Sequence, residues 1–222
     1  MKKQTDKRAT RARAASGEAG FSLVELMVAL GVTLVIMVVA SRMLAMTMAV
    51  RTRENQRTES LADVQRALQA MTREISNAGI GLSNNGLVDD DSEVDTIRVR
   101  SNLDAFCGAS GGCDADTTDD GEDVVFSIIS NNTNGDNQRL ITRQDVSSGK
   151  ISPLANRVDG LNFDYLKADG TTAATPSAAD RVKITVTVVL PAVGTAGAPG
   201  YQPPTRTQLV SEGVLRNRLL KQ

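Results

Sequence analysis

Histidine is absent from the 222 residues. That removes Ser-His-Asp and Cys-His catalysis, His-ligated metals and imidazole general bases together. Tryptophan is absent too, and aromatics make up only 3% of the chain, so the core is modest. Gly, Asn, Asp, Ser and Thr crowd the sequence after residue 76, which implies many turns. Cysteine occurs only twice. No phosphate-cradling glycine loop is present. An enzyme is therefore not expected.

Charge is missing from one stretch as well. Between Glu25 and Arg42 no residue is ionisable. This run is long enough, with its flanks, to cross a bilayer as a helix. Glu25 at its front is the anomaly. A carboxylate inside a membrane-length helix is expensive, about 2.5–3.5 kcal/mol at the helix centre on insertion scales, so it marks a functional site and calls for a partner.

The net charge of −1 conceals an asymmetry. Residues 1–20 hold six Lys and Arg against two Asp and Glu, and the rest holds 19 against 24. A basic head before an apolar segment stays on the cytoplasmic side, which sends the acidic remainder across the membrane. Residues 1–20 form a basic leader, but not an ordinary secretory signal. The small residues Ala19-Gly20 precede the apolar run instead of following it. A cut there removes the charge and keeps the hydrophobic segment.

The stretch Gly20-Phe21-Ser22-Leu23-Val24-Glu25-Leu26-Met27-Val28-Ala29-Leu30 resembles the class III signal of type IV pilins and type II secretion pseudopilins. The resemblance implies a prepilin peptidase that cuts between Gly20 and Phe21 and N-methylates Phe21. It also implies that Glu25 pairs with the α-amino group of a neighbouring subunit's Phe21. A carboxylate in a helix bundle is tolerable when a cation meets it at short range in low dielectric. Such a pair also fixes axial register, since a slip leaves both charges unpaired.

The helix is expected to continue beyond the apolar part. From Arg51 it turns charged and amphipathic, with Leu61, Val64, Leu68, Met71 and Ile75 in one stripe. Asn77-Ala78-Gly79 followed by Gly81 stops it. The boundaries are then leader 1–20, apolar membrane or filament-core helix 21–50, amphipathic continuation 51–79, and a β-rich head 80–222. Residues 80–93 form a long loop. Strands are expected at Thr96–Arg100, Val124–Ser130, Arg139–Gln144, Val158–Lys167, Arg181–Leu190 and about Arg206–Leu215, and residues 131–136 favour a hairpin. Val182, Ile184, Val186 and Val188 alternate with polar residues, as on a half-buried strand. Residues 191–204 form an exposed Gly/Pro/Ala linker. The fold class is α+β: a long N-terminal helix on a mostly antiparallel sheet.

Later segments, Arg73-Glu-Ile-Ser-Asn-Ala-Gly, Val158-Asp-Gly-Leu-Asn-Phe-Asp-Tyr with Asp169-Gly170, and Val214-Leu-Arg-Asn, resemble PilW-type minor pilins and, less closely, J-type minor pseudopilins. The resemblance implies a minor pilin in the inner membrane that primes, builds or tips a pilus. Its partners would be the peptidase, other pilins or pseudopilins and an inner-membrane assembly platform. A type II secretion pseudopilin is the alternative. A third reading is a tip adhesin or substrate-binding module displaying loops 80–95, 102–123 and 168–180. Their acidity argues against nucleic acid, which is held by Lys and Arg.

Cys107 and Cys113 bracket a Gly-rich segment. On the oxidising side of a membrane they suggest a disulfide. A two-thiolate metal site would lack further ligands. Asp116, Thr118 and Asp120, with Gly121, match the first half of a calcium loop, but Ser127 stands where its closing Glu belongs. A solvated acidic loop is the plainer expectation, and no cofactor is otherwise implied.

Overall fold

The structure is a computed structural model that describes residues 20–105, 116–131, 138–190, 192–197 and 200–219. Helix α1 runs Leu23–Asn77. The chain divides into two units, Met1–Met46 and Thr47–Gln222.

The described part of the first unit is non-helical up to Ser22 and helical from Leu23. Its side chains are unburied: Leu23, Val24, Met27, Leu34, Ile36 and Met37 all keep more than half of their surface exposed. An 18-residue apolar window of α1 has none of its residues buried, and by length and composition it can cross a membrane. Thr33 donates its hydroxyl to the Ala29 carbonyl at 2.7 Å. That bond hides the polar group within the helix.

In the second unit the expected stripe of α1 is the buried one. Val64, Leu68, Met71 and Ile75 are buried together with Ala67 and Ser60, and Leu61 packs at the margin of the core. Against this face lies a six-stranded antiparallel meander in the order β1 to β6. The strands are β1 (Thr96–Arg100), β2 (Asp123–Asn131), β3 (Gln138–Asp145), β4 (Ile151–Leu166), β5 (Arg181–Leu190) and β6 (Thr205–Val214). The α+β expectation is borne out. β5 buries every second residue, Val182 through Leu190, as its alternation predicts. Phe126, Met71, Ile75, Ile97, Ile141 and Ile184 are fully enclosed between helix and sheet.

β4 differs from expectation. It begins at Ile151, seven residues before the expected start, and takes in Pro153. Pro153 pairs with Thr142 of β3, whereas pairing with β5 begins only at Val158. On residues 151–157 β4 is thus an edge, where a missing N–H is tolerated. A register shift separates Val158 from Gly160, and Arg157 takes φ 55° just before it.

The loop after α1 is more ordered than its composition implies. Asp89–Asp91 form a 3-10 turn, and Leu87 bridges to Val99. Gly86 has φ 77°, and a Cβ there would meet the Gly79 nitrogen at 2.2 Å and the Arg100 carbonyl at 2.3 Å. Only glycine fits. The described part of the expected linker 191–204 is mostly exposed, with Val193 bridged to Gln202. Pro203 and Thr205 accept hydrogen bonds from the buried Arg53 guanidinium, at 2.5 and 2.9 Å.

Candidate functional site

Gly20, Phe21 and Ser22 precede the first turn of α1 in non-helical conformation. Ser22 accepts the first helical hydrogen bond, from Leu26 N–H at 3.1 Å, which makes it the N-cap. The Gly20–Phe21 bond therefore lies in non-helical chain just outside a helix. Phe21 is 81% exposed, and a Cβ on Gly20 would meet nothing within 4 Å. A protease can reach this bond without unwinding the helix. Cleavage there would leave a free α-amine on Phe21.

Glu25 lies in the first turn of α1. A carboxylate is favourable at a helix N-terminus, where the unpaired N–H groups and the macrodipole are positive. Among the described residues Glu25 has neither an ion-pair nor a hydrogen-bond partner. It stands four positions after Phe21, so both groups lie at one end of the apolar helix. The chain itself offers that end no countercharge among the described residues.

Of the other expected sites, Cys107 and Cys113 lie outside the described residues. Asp116 and Thr118 come together, but in a local turn. Asp116 Oδ1 accepts the Thr118 hydroxyl at 2.7 Å and the Thr118 N–H at 2.8 Å. These bonds hold the Asp116 carboxyl below its usual range. Asp120 does not join them. The carboxylates that converge are instead Asp104, Asp119 and Glu122, with oxygens within 4.8 Å of one another. Sequence reasoning missed this set.

Next to that set is a network of buried acids and arginines. Asp123, 5% exposed, accepts from Arg98 Nε at 2.8 Å and Nη2 at 2.7 Å, and from Arg100 Nε at 2.9 Å. The hydrogen bond to Asp123, helped by Asp91, raises the Arg98 pKa above its ordinary range. Burial opposes the charge on Asp145. Hydrogen bonds from Ser148 and Gly121, with Arg143 nearby, outweigh it and hold that carboxyl below its usual value. A hollow of about 670 Å³ lies between α1 and β3–β4 at Asp63, Ala67, Ala70, Leu140 and Leu154. Its charged members, Asp63 and Arg66, pair with each other.

Neither the curated proteins nor the solved structures yield a match to this chain. A family model does match, described as the prokaryotic N-terminal methylation motif, over residues 15–41. That interval holds Gly20, Phe21, Glu25 and the first turns of α1. The motif implies processing by a prepilin peptidase and pilin-type partners, and with the apolar helix it fits a single-pass inner-membrane protein. Residues 15–41 thus carry the class III signal, which is consistent with a type IV pilin-like or pseudopilin protein and does not single out a PilW-type minor pilin.

Proposed function

We propose that this chain is a minor type IV pilin, PilW-like, and not an enzyme. It inserts in the inner membrane with residues 80–222 on the periplasmic side and takes part in priming, building or tipping a pilus. The peptidase cuts Gly20–Phe21, the new amine of Phe21 is methylated, and Glu25 pairs with that amine on a neighbouring subunit.

The observation that carries this reading is the first turn of α1. A carboxylate without a countercharge among the described residues stands beside an accessible scissile bond. Among the described residues, the helix behind it leaves its apolar surface uncovered. Lipid tails can cover that surface, but they carry no charge to neutralise Glu25. A packed neighbour can do both.

The test has two readings. Mass spectrometry of the membrane-extracted protein should find an N-terminal methylated Phe21. Glu25→Ala should be cut normally yet fail to enter the filament or to recruit other subunits, with surface pili reduced at least tenfold. Glu25→Ala assembling at the wild-type level would overturn the pairing. A chain whose loss spares pili and abolishes protein secretion would be the pseudopilin instead.

A further inference from the structure

We propose that Asp104, Asp119 and Glu122 form a calcium site that ties the end of the β1 strand to the start of β2. The inference does not depend on the filament reading, because every residue it uses belongs to the β-rich unit.

Strand register brings the three together. Arg100 pairs with Asp123 at the end of the β1–β2 ladder. Continued outward, the same antiparallel register sets Ser101 against Glu122 and Asp104 against Asp119. Ser101 N–H indeed donates to the Glu122 carbonyl at 2.8 Å. Glu122 N–H donates to the Asp119 carbonyl at 3.1 Å. The backbone on both sides is thus held before any side chain is considered. Carboxylate oxygens of Asp104, Asp119 and Glu122 then lie within 4.8 Å of one another.

Glu122 supplies the second and separate observation. It is only 2% exposed. One oxygen, Oε1, accepts the Leu103 N–H at 2.6 Å. The other, Oε2, is out of contact with solvent and accepts no hydrogen bond. A buried carboxylate oxygen without a donor is costly, and a second and third carboxylate beside it raise the cost. The neighbouring arginines are committed elsewhere. Arg98 and Arg100 bind Asp123, and Arg143 binds Glu74 and Asp145. Glu122 forms no ion pair with any of them. A cation is what the buried Glu122 Oε2 is short of.

Three carboxylates and no nitrogen or sulfur donor select a hard cation. Calcium bonds oxygen at about 2.3–2.6 Å, so ligands on opposite sides of one ion are at most about 5 Å apart. The observed spread fits that sphere without rearrangement. Magnesium, at about 2.0–2.1 Å and near-octahedral, demands a tighter and more regular set. Backbone carbonyls and water would complete the shell. Asp116, Thr118 and Asp120, the match to a calcium-loop pattern, are not the ligands.

The test uses the full chain in detergent, stripped with a chelator and titrated with calcium chloride or magnesium chloride. Calcium should raise the midpoint of thermal unfolding by several degrees, saturably, with one site of Kd about 10⁻⁴–10⁻³ M as in extracellular modules. Asp119→Asn, an exposed change, should weaken calcium binding at least tenfold without altering the chelated protein's midpoint. Glu122→Gln should do the same and is the second variant. Asp120→Asn should leave the response intact. No calcium response at about 10 mM, two orders above the tight end of that range, would overturn the proposal. So would an equal response to magnesium, or an unchanged response in Asp119→Asn.

Discussion

Gly213 sets β6 directly against Ile75 of α1, and replacing it tests that packing. A Cβ built there would stand 2.9 Å from Ile75 Cγ2 and 3.3 Å from Ile75 Cβ. Ordinary carbon contacts are about 3.5–4.0 Å, so Gly213→Ala must push helix and strand apart by about half an ångström or more. Ile75 is fully buried and cannot swing away. Overpacking of this kind costs about 1–3 kcal/mol. The lost glycine entropy returns about 0.5–1 kcal/mol, leaving a net loss of about 1–2 kcal/mol. Ile75→Ala alone should cost about 3–4 kcal/mol, the usual range for a buried aliphatic truncated in place. In that background Cγ2 is gone and the new methyl group fills part of the cavity. Gly213→Ala should then be neutral or mildly stabilising, a coupling of about 1–2 kcal/mol. Pulse proteolysis of the detergent-solubilised chain across a urea series reads all four proteins. Additivity within about 0.5 kcal/mol, the scatter expected of independent sites, would refute the contact.

Two further outcomes follow from the acid–arginine network. Asp123→Ala strands the Arg98 guanidinium, whose side chain is 19% exposed, with Asp91 alone. About 3 kcal/mol should be lost, measurable in the same urea series, and the β1–β2 amides should exchange faster. Asp145→Asn tests a depressed carboxyl. Because the folded pKa lies below the unfolded value of 3.8, the stabilisation is full above that pH and fades as pH falls through the folded value. The variant should be less stable by about 2 kcal/mol at pH 7, and the gap to wild type should close in acid. A gap that is constant from pH 7 to about pH 3, below the usual carboxylate range, would show that the charge is not what Ser148 and Gly121 hold.

Much of this fold was legible where the signal is local. β1 and β5 occupy Thr96–Arg100 and Arg181–Leu190 as expected, because alternation at period two is written in the side chains themselves. The α1 stripe was legible for the same reason at period 3.6. The first half of β4 was not. Pro153, Asn156 and Arg157 look like turn residues, and only the absence of a β5 partner along that stretch makes Pro153 acceptable. Arg53 shows the limit more sharply. Its acceptors are about 150 residues away, and nothing near it in sequence marks it as buried.

The two candidate sites divide along the same line. Gly20, Phe21 and Glu25 fall within six consecutive residues, and their chemistry needs only a helix start and the charge-free stretch beyond it. Composition and order supply both, so the helix start and the place of these three residues at it were legible. Asp104, Asp119 and Glu122 depend on the β1–β2 register. An acidic run such as residues 114–123 offers many carboxylates, and a pattern match selects among them by spacing along the chain. The sheet selects by spacing across the ladder. Asp116 is diverted into its own turn with Thr118. Asp119 and Glu122, three apart, are set beside Asp104 from the opposite strand end. A one-residue slip of β1 against β2 would turn the pairing over and place Glu122 on the other face. The ladder that buries Val99 and Val124 is therefore also what assembles the three acids.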